Sequence, residues 1–352
     1  MTTAMSTAPI TTTAWIAALL CASIMGCAIH RGATCTVAAV DEIVSQRRAT
    51  KLSAMLEASL WVAGGLLLAQ QLGAAMSPVA GHALTLWTLL GAALLGLGAF
   101  INRACVFGTL ARLGNGEWAY LATPFGFYVG CLIAGRVGYE LMPAMPPIAL
   151  AAAAVNAAGA SNAGAGAASA GLALTAWAWP AMLAIAVWAV RRSLRVWRAG
   201  HVWTPHTATA VIGLAFIALL LLVGGTWAYT DVLADWARGV MRDGPLHRSP
   251  LRLSLLAAMF AGALLGGWRQ RRWTRKLGHP AQWLRCGAGG ALMGLGSVLI
   301  PGSNDGLILL GLPLLLPYAW AGFATMCGSI ALALLLQRAW VARTRLLAAR
   351  RA

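Results

Sequence analysis

Gly91-Ala-Ala-Leu-Leu-Gly-Leu-Gly98 and Gly289-Gly-Ala-Leu-Met-Gly-Leu-Gly296 lie 198 residues apart and share six of eight letters. With no gap, the same offset pairs Cys105 with Ser303, Gly108 with Gly306, Tyr120 with Tyr318, Phe125 with Phe323 and Gly130 with Gly328. The chain therefore carries an internal duplication. In an apolar chain, duplicated segments interrupted by glycine are the pattern of a transport site built where two halves face each other.

Composition fixes the class. Of 352 residues, 60% are hydrophobic and 10% are charged, and the mean hydropathy is +0.74, so lipid must cover much of the surface. The expected fold is all-α: about nine transmembrane helices, two inverted repeats and re-entrant or broken helices. A net charge of +17 raises the question of nucleic acid, but the cations are confined to short runs between apolar segments. Arg47, Arg48 and Lys51 form one run and Arg191, Arg192, Arg195 and Arg198 a second. Arg269, Arg271, Arg272, Arg275 and Lys276 form a third, and Arg338, Arg343, Arg345, Arg350 and Arg351 the last. Short basic loops beside spanning helices follow the positive-inside rule, which places all four runs in the cytoplasm and argues against a nucleic-acid partner.

Met1 to Ala14 carries no charged side chain, so it lacks the basic start of a secretory signal and is expected outside. A crossing takes about 20 apolar residues. Nine such stretches are read at roughly 14–30, 52–72, 83–101, 118–140, 171–190, 207–227, 250–267, 283–300 and 318–338. An odd count puts the N-terminus outside and the C-terminus in the cytoplasm of a multi-pass protein of the bacterial inner membrane, and every basic run then falls inside. Segment 83–101 runs inward while its repeat partner 283–300 runs outward, so the repeats are inverted. The halves are taken as 1–145 and 201–352, joined over 146–200 by a linker and the unpaired crossing 171–190. The segment Asp231 to Pro250, with its mixed charges, reads as a solvated external loop in preference to an interfacial helix.

Three polar, glycine-containing stretches end apolar spans: Gly26 to Cys35, Asn102 to Gly108, and Pro301 to Gly306. Backbone without helical bonds survives at membrane depth only when protein buries it or when it lines a watery cavity. The seven cysteines lack CxxC spacing, which argues against a zinc site or a disulfide scaffold.

Arg31-Gly-Ala-Thr-Cys35, the Gly-x-Gly run leading to Cys105 and Gly108, and Gly294-x-Gly296 leading to Gly302-Ser303-Asn304-Asp305-Gly306 resemble the YeeE/YedE sulfur-transport family, which includes thiosulfate permeases. The resemblance covers most of both halves. It implies a nine-helix inverted-repeat fold, a narrow path along which thiosulfate passes between cysteine thiols, and a cytosolic sulfur-carrier partner of the TusA type. Cys35 and Cys105 match two cysteines of that pattern, whereas Ser303 stands where the third is expected.

The chemistry can be put without the family. A divalent oxyanion leaving water needs donors, yet must not be held so firmly that it stays. Thiols, hydroxyls and backbone amides at helix ends meet both demands. The expected substrate path is therefore Cys35, Cys105, Ser303, Asn304 and Asp305, with Arg31 and Arg103 drawing the anion inward or serving as interfacial anchors. An ionised Asp305 would repel the cargo, so it is protonated, or paired, or the cargo differs; a proton on it offers a route to coupling. Cys21, Cys27, Cys131, Cys286 and Cys327 read as small apolar residues. His30 reads as a helix cap, and the 16 tryptophans as mostly interfacial.

The reading is an importer of a small sulfur-containing anion, thiosulfate first, with no enzyme activity, no cofactor and no metal site. Two alternatives stand beside it: a membrane-bound relay that carries a persulfide on a cysteine, and a divergent transporter of another anion.

Overall fold

Long apolar stretches punctuated by Gly, Pro and short polar turns can satisfy their backbone groups in lipid only as helices, and helices are what form. The computed structural model describes residues 12–32, 34–71, 82–141, 203–223, 227–241, 250–270, 273–300 and 302–349. The expected crossing 171–190, the linker and the second basic run lie outside the described residues.

The first half supplies α1 (Thr12–Gly32), α2 (Thr36–Gln46), α3 (Thr50–Gln71), α4 (Leu86–Asn102), α5 (Val106–Gly114), a 3₁₀ turn (Trp118–Leu121) and α6 (Ala122–Leu141). The second supplies α7 (Pro205–Val223), α8 (Tyr229–Met241), α9 (Pro250–Arg269), α10 (Pro280–Leu299), α11 (Asn304–Gly306) and α12 (Pro317–Ala349). A turn of π-helix over Leu307–Gly311 continues α11. Among the described residues there is no strand; Glu117 and Lys276 form an isolated bridge. Among the described residues seven helical stretches are long and apolar enough to cross a membrane, or eight when the bent pair Pro280–Leu299 and Asn304–Gly311 is taken as one. These answer to eight of the nine stretches read from hydropathy.

Element order repeats: long helix, break, short helix, long helix, then long helix, break, short helix, long helix. The packing repeats with it. α1 lies on α9 as α7 lies on α3, and α4 lies on α12 as α10 lies on α6. Likewise α2 touches α12 as α8 touches α6, while α1 meets α7 and α4 meets α10. Exchanging the two halves leaves this pattern of neighbours unchanged, as a pseudo-two-fold axis requires.

The opening octapeptides lie on that axis. A Cβ on Gly98 would come within 2.7 Å of the Gly289 carbonyl oxygen, and one on Gly296 within 2.4 Å of the Gly91 oxygen. Gly91 thus faces the partner of Gly98, and Gly98 faces the partner of Gly91. Only antiparallel helices give that crossed register, so the duplicated motifs run in opposite directions. Glycine is required here because the two backbones touch where a side chain would stand.

One reading is corrected. Asp231 to Met241 is helical, as part of α8, and its Val232, Leu233 and Ala237 are buried, with α6 and α9 against it. The mixed charges misled because they neutralise one another: Asp235 bonds Arg238 at 2.5 Å and also pairs with Arg252 of α9. That leaves an apolar face free to pack.

The breaks at 34–35 and 103–105 interrupt spans that continue as Thr12–Gln46 and Leu86–Gly114, whereas the pair Pro280–Leu299 and Asn304–Gly311 bends by 53°. Arg103 ends α4 in the left-handed conformation, φ 59°, its N–H returning to Ala99 and Phe100. α12 is the longest helix at 33 residues, and Gln337 to Ala349 is exposed apart from Val341.

Replacing Gly98 or Gly289 with Val should destabilise the protein by about 1–3 kcal/mol, the usual cost of overpacking. Gly287→Ala, where a Cβ would meet nothing within 4 Å, should leave stability unchanged or slightly raised. Apparent melting temperatures of the detergent-solubilised variants check both.

Candidate functional site

A helix that stops in an apolar interior leaves N–H groups that must find partners inside the protein. Here the breaks provide for one another. Cys35 is the residue before α2 and Cys105 the residue before α5, and neither caps its own helix through its side chain. The Thr36 N–H, first of α2, donates to Cys105 Sγ at 3.2 Å, and the Cys105 N–H donates to Cys35 Sγ at 3.4 Å. Each thiol therefore sits on the start of the other's half-helix, and both are buried.

The third break joins through the same threonine. Thr36 Oγ1 donates to Asn304 Oδ1 at 3.1 Å. Ser303, Asn304 and Asp305 are 2%, 0% and 2% exposed, and among the described residues Ser303 Oγ, Asn304 Nδ2 and Asp305 Oδ2 have no hydrogen-bond partner. Asp305 Oδ1 accepts from Thr230 Oγ1 at 2.7 Å and from the Gly306 N–H at 3.1 Å. Among the described residues no cation lies within ion-pair distance of it.

Thr230 is the second residue of α8, which follows a fourth break after Val223 that sequence reading missed. Tyr229 of α8 donates its hydroxyl to the carbonyl of Val106, next to Cys105, at 3.0 Å. Trp227, just before it, is buried with its indole Nε1 unpartnered. The available signal was Gly224-Gly225 at the end of an apolar run, the same punctuation that marked the other breaks. It was passed over because no cysteine follows.

Further bonds fix the geometry. Asn102, 0% exposed, donates to the Ala104 carbonyl at 2.8 Å and to Thr109 Oγ1 at 3.1 Å, and accepts from Thr123 Oγ1 at 3.0 Å. These bonds hold the chain reversal around Arg103. Ser59 of α3 donates to the Ile308 carbonyl at 2.7 Å, supporting the π-helical turn where regular bonding is lost. A Cβ on Gly108 would lie 2.5 Å from Cys35 Sγ, so the absent side chain is the space that the thiol occupies.

Five of the seven residues expected to line a path are thus brought together: Cys35, Cys105, Ser303, Asn304 and Asp305. The two arginines stand apart from the cluster of bonds. Arg31 stacks on Trp203, its guanidinium 5.2 Å from the ring centroid, and Arg103 is exposed. His30 meets Asn115, which caps the end of α5, with 3.0 Å between Nε2 and Oδ1. Cys131 serves packing: its sulfur lies 3.6 Å from the Gly294 carbonyl and 3.7 Å from Ser297 Oγ, on the face where α6 meets α10. Among the described residues no cluster of three His, Cys, Asp or Glu has the makings of a metal site.

Four broken helices whose ends bond to one another inside a helical bundle define a membrane transport protein of the repeat-built class. The family model described as sulphur transport matches residues 31–332, and the chain belongs to that family, the YeeE/YedE sulfur transporters. No curated protein matches the chain. The match begins at Arg31 and spans both octapeptides and three of the breaks that the sequence marked.

Gly108→Ala should push the Cys35 thiol off its site and lower sulfur-anion uptake by about tenfold or more, since misplacement by an ångström carries costs of that order. The equivalent change in the other repeat, Gly306→Ala, meets nothing within 4 Å and should be tolerated. Uptake measured beside melting temperature separates loss of the site from loss of the fold.

Proposed function

We propose that this protein imports thiosulfate across the bacterial inner membrane, along a path that runs by Cys105, Ser303 and Cys35. Membership of a sulphur-transport family supports a small sulfur-containing anion as cargo. The observation that carries the reading is the crossed pair of N–H to sulfur bonds, joined through Thr36 to Asn304. It gathers thiol, hydroxyl and amide groups at one buried place without a fixed cation bonded among them.

That composition suits transit. A dehydrated oxyanion needs hydrogen-bond donors, and a fixed positive charge in low dielectric would trap it. Neutral donors on broken helices compensate for lost water and let go again. The two half-helices of the first repeat, 11 and 9 residues long, add the positive ends of their dipoles at Cys35 and Cys105.

Arg31 and Arg103 act from the membrane edge, drawing the anion toward this place. The N-terminus lies outside and the basic runs inside, so cargo is released near the Arg-rich cytoplasmic face, where a sulfur-carrier protein of the TusA type receives it. The halves 1–145 and 201–352 work as the two sides of the path. The protein performs no chemistry on the cargo.

A bacterial strain unable to take up thiosulfate should grow on it as sole sulfur source when supplied with this protein, and growth should fail with Cys105→Ala. Uptake of labelled thiosulfate should saturate and leave no sulfur adduct on Cys105 or Cys35. A persulfide trapped on either cysteine would instead show a covalent relay. Ser303→Cys should preserve or raise uptake, because the thiol restores the family's donor at that position.

A further inference from the structure

The three unpartnered atoms at 303–305 differ from the thiols beside them in kind. The Ser303 hydroxyl and the Asn304 amide are strong donors, whereas a thiol is a weak and polarizable one. Ser303 stands directly before α11 yet caps nothing, so its hydroxyl is not engaged in holding the chain. Asn304 is held in one orientation, because its Oδ1 accepts the Thr36 hydroxyl, and this leaves Nδ2 as its donor. Thr36 also gives its N–H to Cys105 Sγ, so a single residue joins the free amide to the thiol pair. Polar atoms so deeply buried ordinarily have partners, and three consecutive residues that each leave one unused among the described residues mark a place able to bond something else.

We propose that Ser303 and Asn304 form an oxygen-binding subsite that orients a sulfur oxyanion, with its oxygens on the hydroxyl and the amide and its terminal sulfur toward Cys35 and Cys105. This rests on the transport reading and deepens it. A tetrahedral anion with one soft and three hard corners then binds in one direction only. Asp305 Oδ2 joins the donors only when it carries a proton; its other oxygen is already held by Thr230 and Gly306. Because the hard donors do not depend on a terminal sulfur, sulfate competes for the same place, at lower affinity. With Ser303 where the family pattern has cysteine, this chain accepts oxygen-rich anions that a third thiol would bind poorly.

Equilibrium binding of labelled thiosulfate and labelled sulfate to the purified full chain in lipid nanodiscs tests this. Wild type should bind both, each displacing the other. Ser303→Ala removes a donor without adding charge and should weaken both ligands by about tenfold or more, as loss of one hydrogen bond to a charged group does. Asn304→Asp keeps the acceptor for Thr36, removes the other donor and adds a carboxylate, and should weaken both further. Cys105→Ala should weaken thiosulfate more than sulfate, so that the ratio of the two affinities falls, because only thiosulfate has a terminal sulfur to lose its partner. Should either donor variant lose its monodisperse elution, Ser303→Cys, close to serine in shape, replaces it and should lower sulfate affinity while keeping thiosulfate. Wild-type sulfate affinity in the donor variants overturns the subsite, as does a wild type that binds thiosulfate but not sulfate. Binding of both ligands without uptake in vesicles overturns the transport reading and leaves the subsite standing.

Discussion

The constraint on which the structure depends is that a helix broken in an apolar interior exposes amides with no water to receive them. Each such amide costs a few kcal/mol unless it is bonded. The protein meets the demand by letting the breaks serve one another: the sulfur of one half-helix start accepts from the next, a threonine hydroxyl reaches the third, and a tyrosine and a threonine tie in the fourth. No break can be moved without stranding a polar group in another. Much of the buried polar chemistry is thereby gathered at one junction.

Duplication makes this economical in geometry. The glycine octapeptides cross at backbone contact, which aligns α4 and α10 in opposite directions and brings the breaks that follow them, after Asn102 and after Leu299, into corresponding places on the two sides of the axis. The halves are alike in architecture but not in chemistry. The first half presents two thiols, the second a hydroxyl, an amide, a carboxyl and an indole. An anion with chemically different ends has more to gain from such a junction than a symmetric one.

Much of this was legible in the chain. Hydropathy located the crossings because lipid enforces a length of about 20 residues, and the ungapped offset exposed the second repeat from Gly289 onward. The motif residues Cys35, Cys105 and Ser303 stood out because cysteine and serine follow glycine at the ends of apolar runs. The fourth break did not stand out. Structure pairs Thr36 with Tyr229 as first residues of their short helices, whereas the offset of 198 would send Thr36 to Ala234, so the equivalence is hidden by a difference in spacing. The roles of Thr36, Asn102 and Gly108 were equally silent. Threonine and asparagine occur at many helix ends, and a glycine that makes room for a sulfur 73 positions earlier carries no local mark. α8 was misjudged because charge pairs that cancel in space look, in sequence, like solvation.

The last helix has a consequence of its own. At a rise of about 1.5 Å per residue, the 33 residues of α12 extend for about 50 Å, well beyond the roughly 30 Å of hydrocarbon that a span must cover. Its final turns project as a rigid mast, studded with Arg338, Arg343 and Arg345 and stayed at its foot by the bond from Arg338 to Asp41 of α2 at 2.7 Å. The foot of the mast is thus guyed to the same short helix whose first residue bonds the Cys105 thiol and the Asn304 amide. The exposed end of α12 is thereby tied, through one ion pair and one helix of 11 residues, to the junction where the breaks meet.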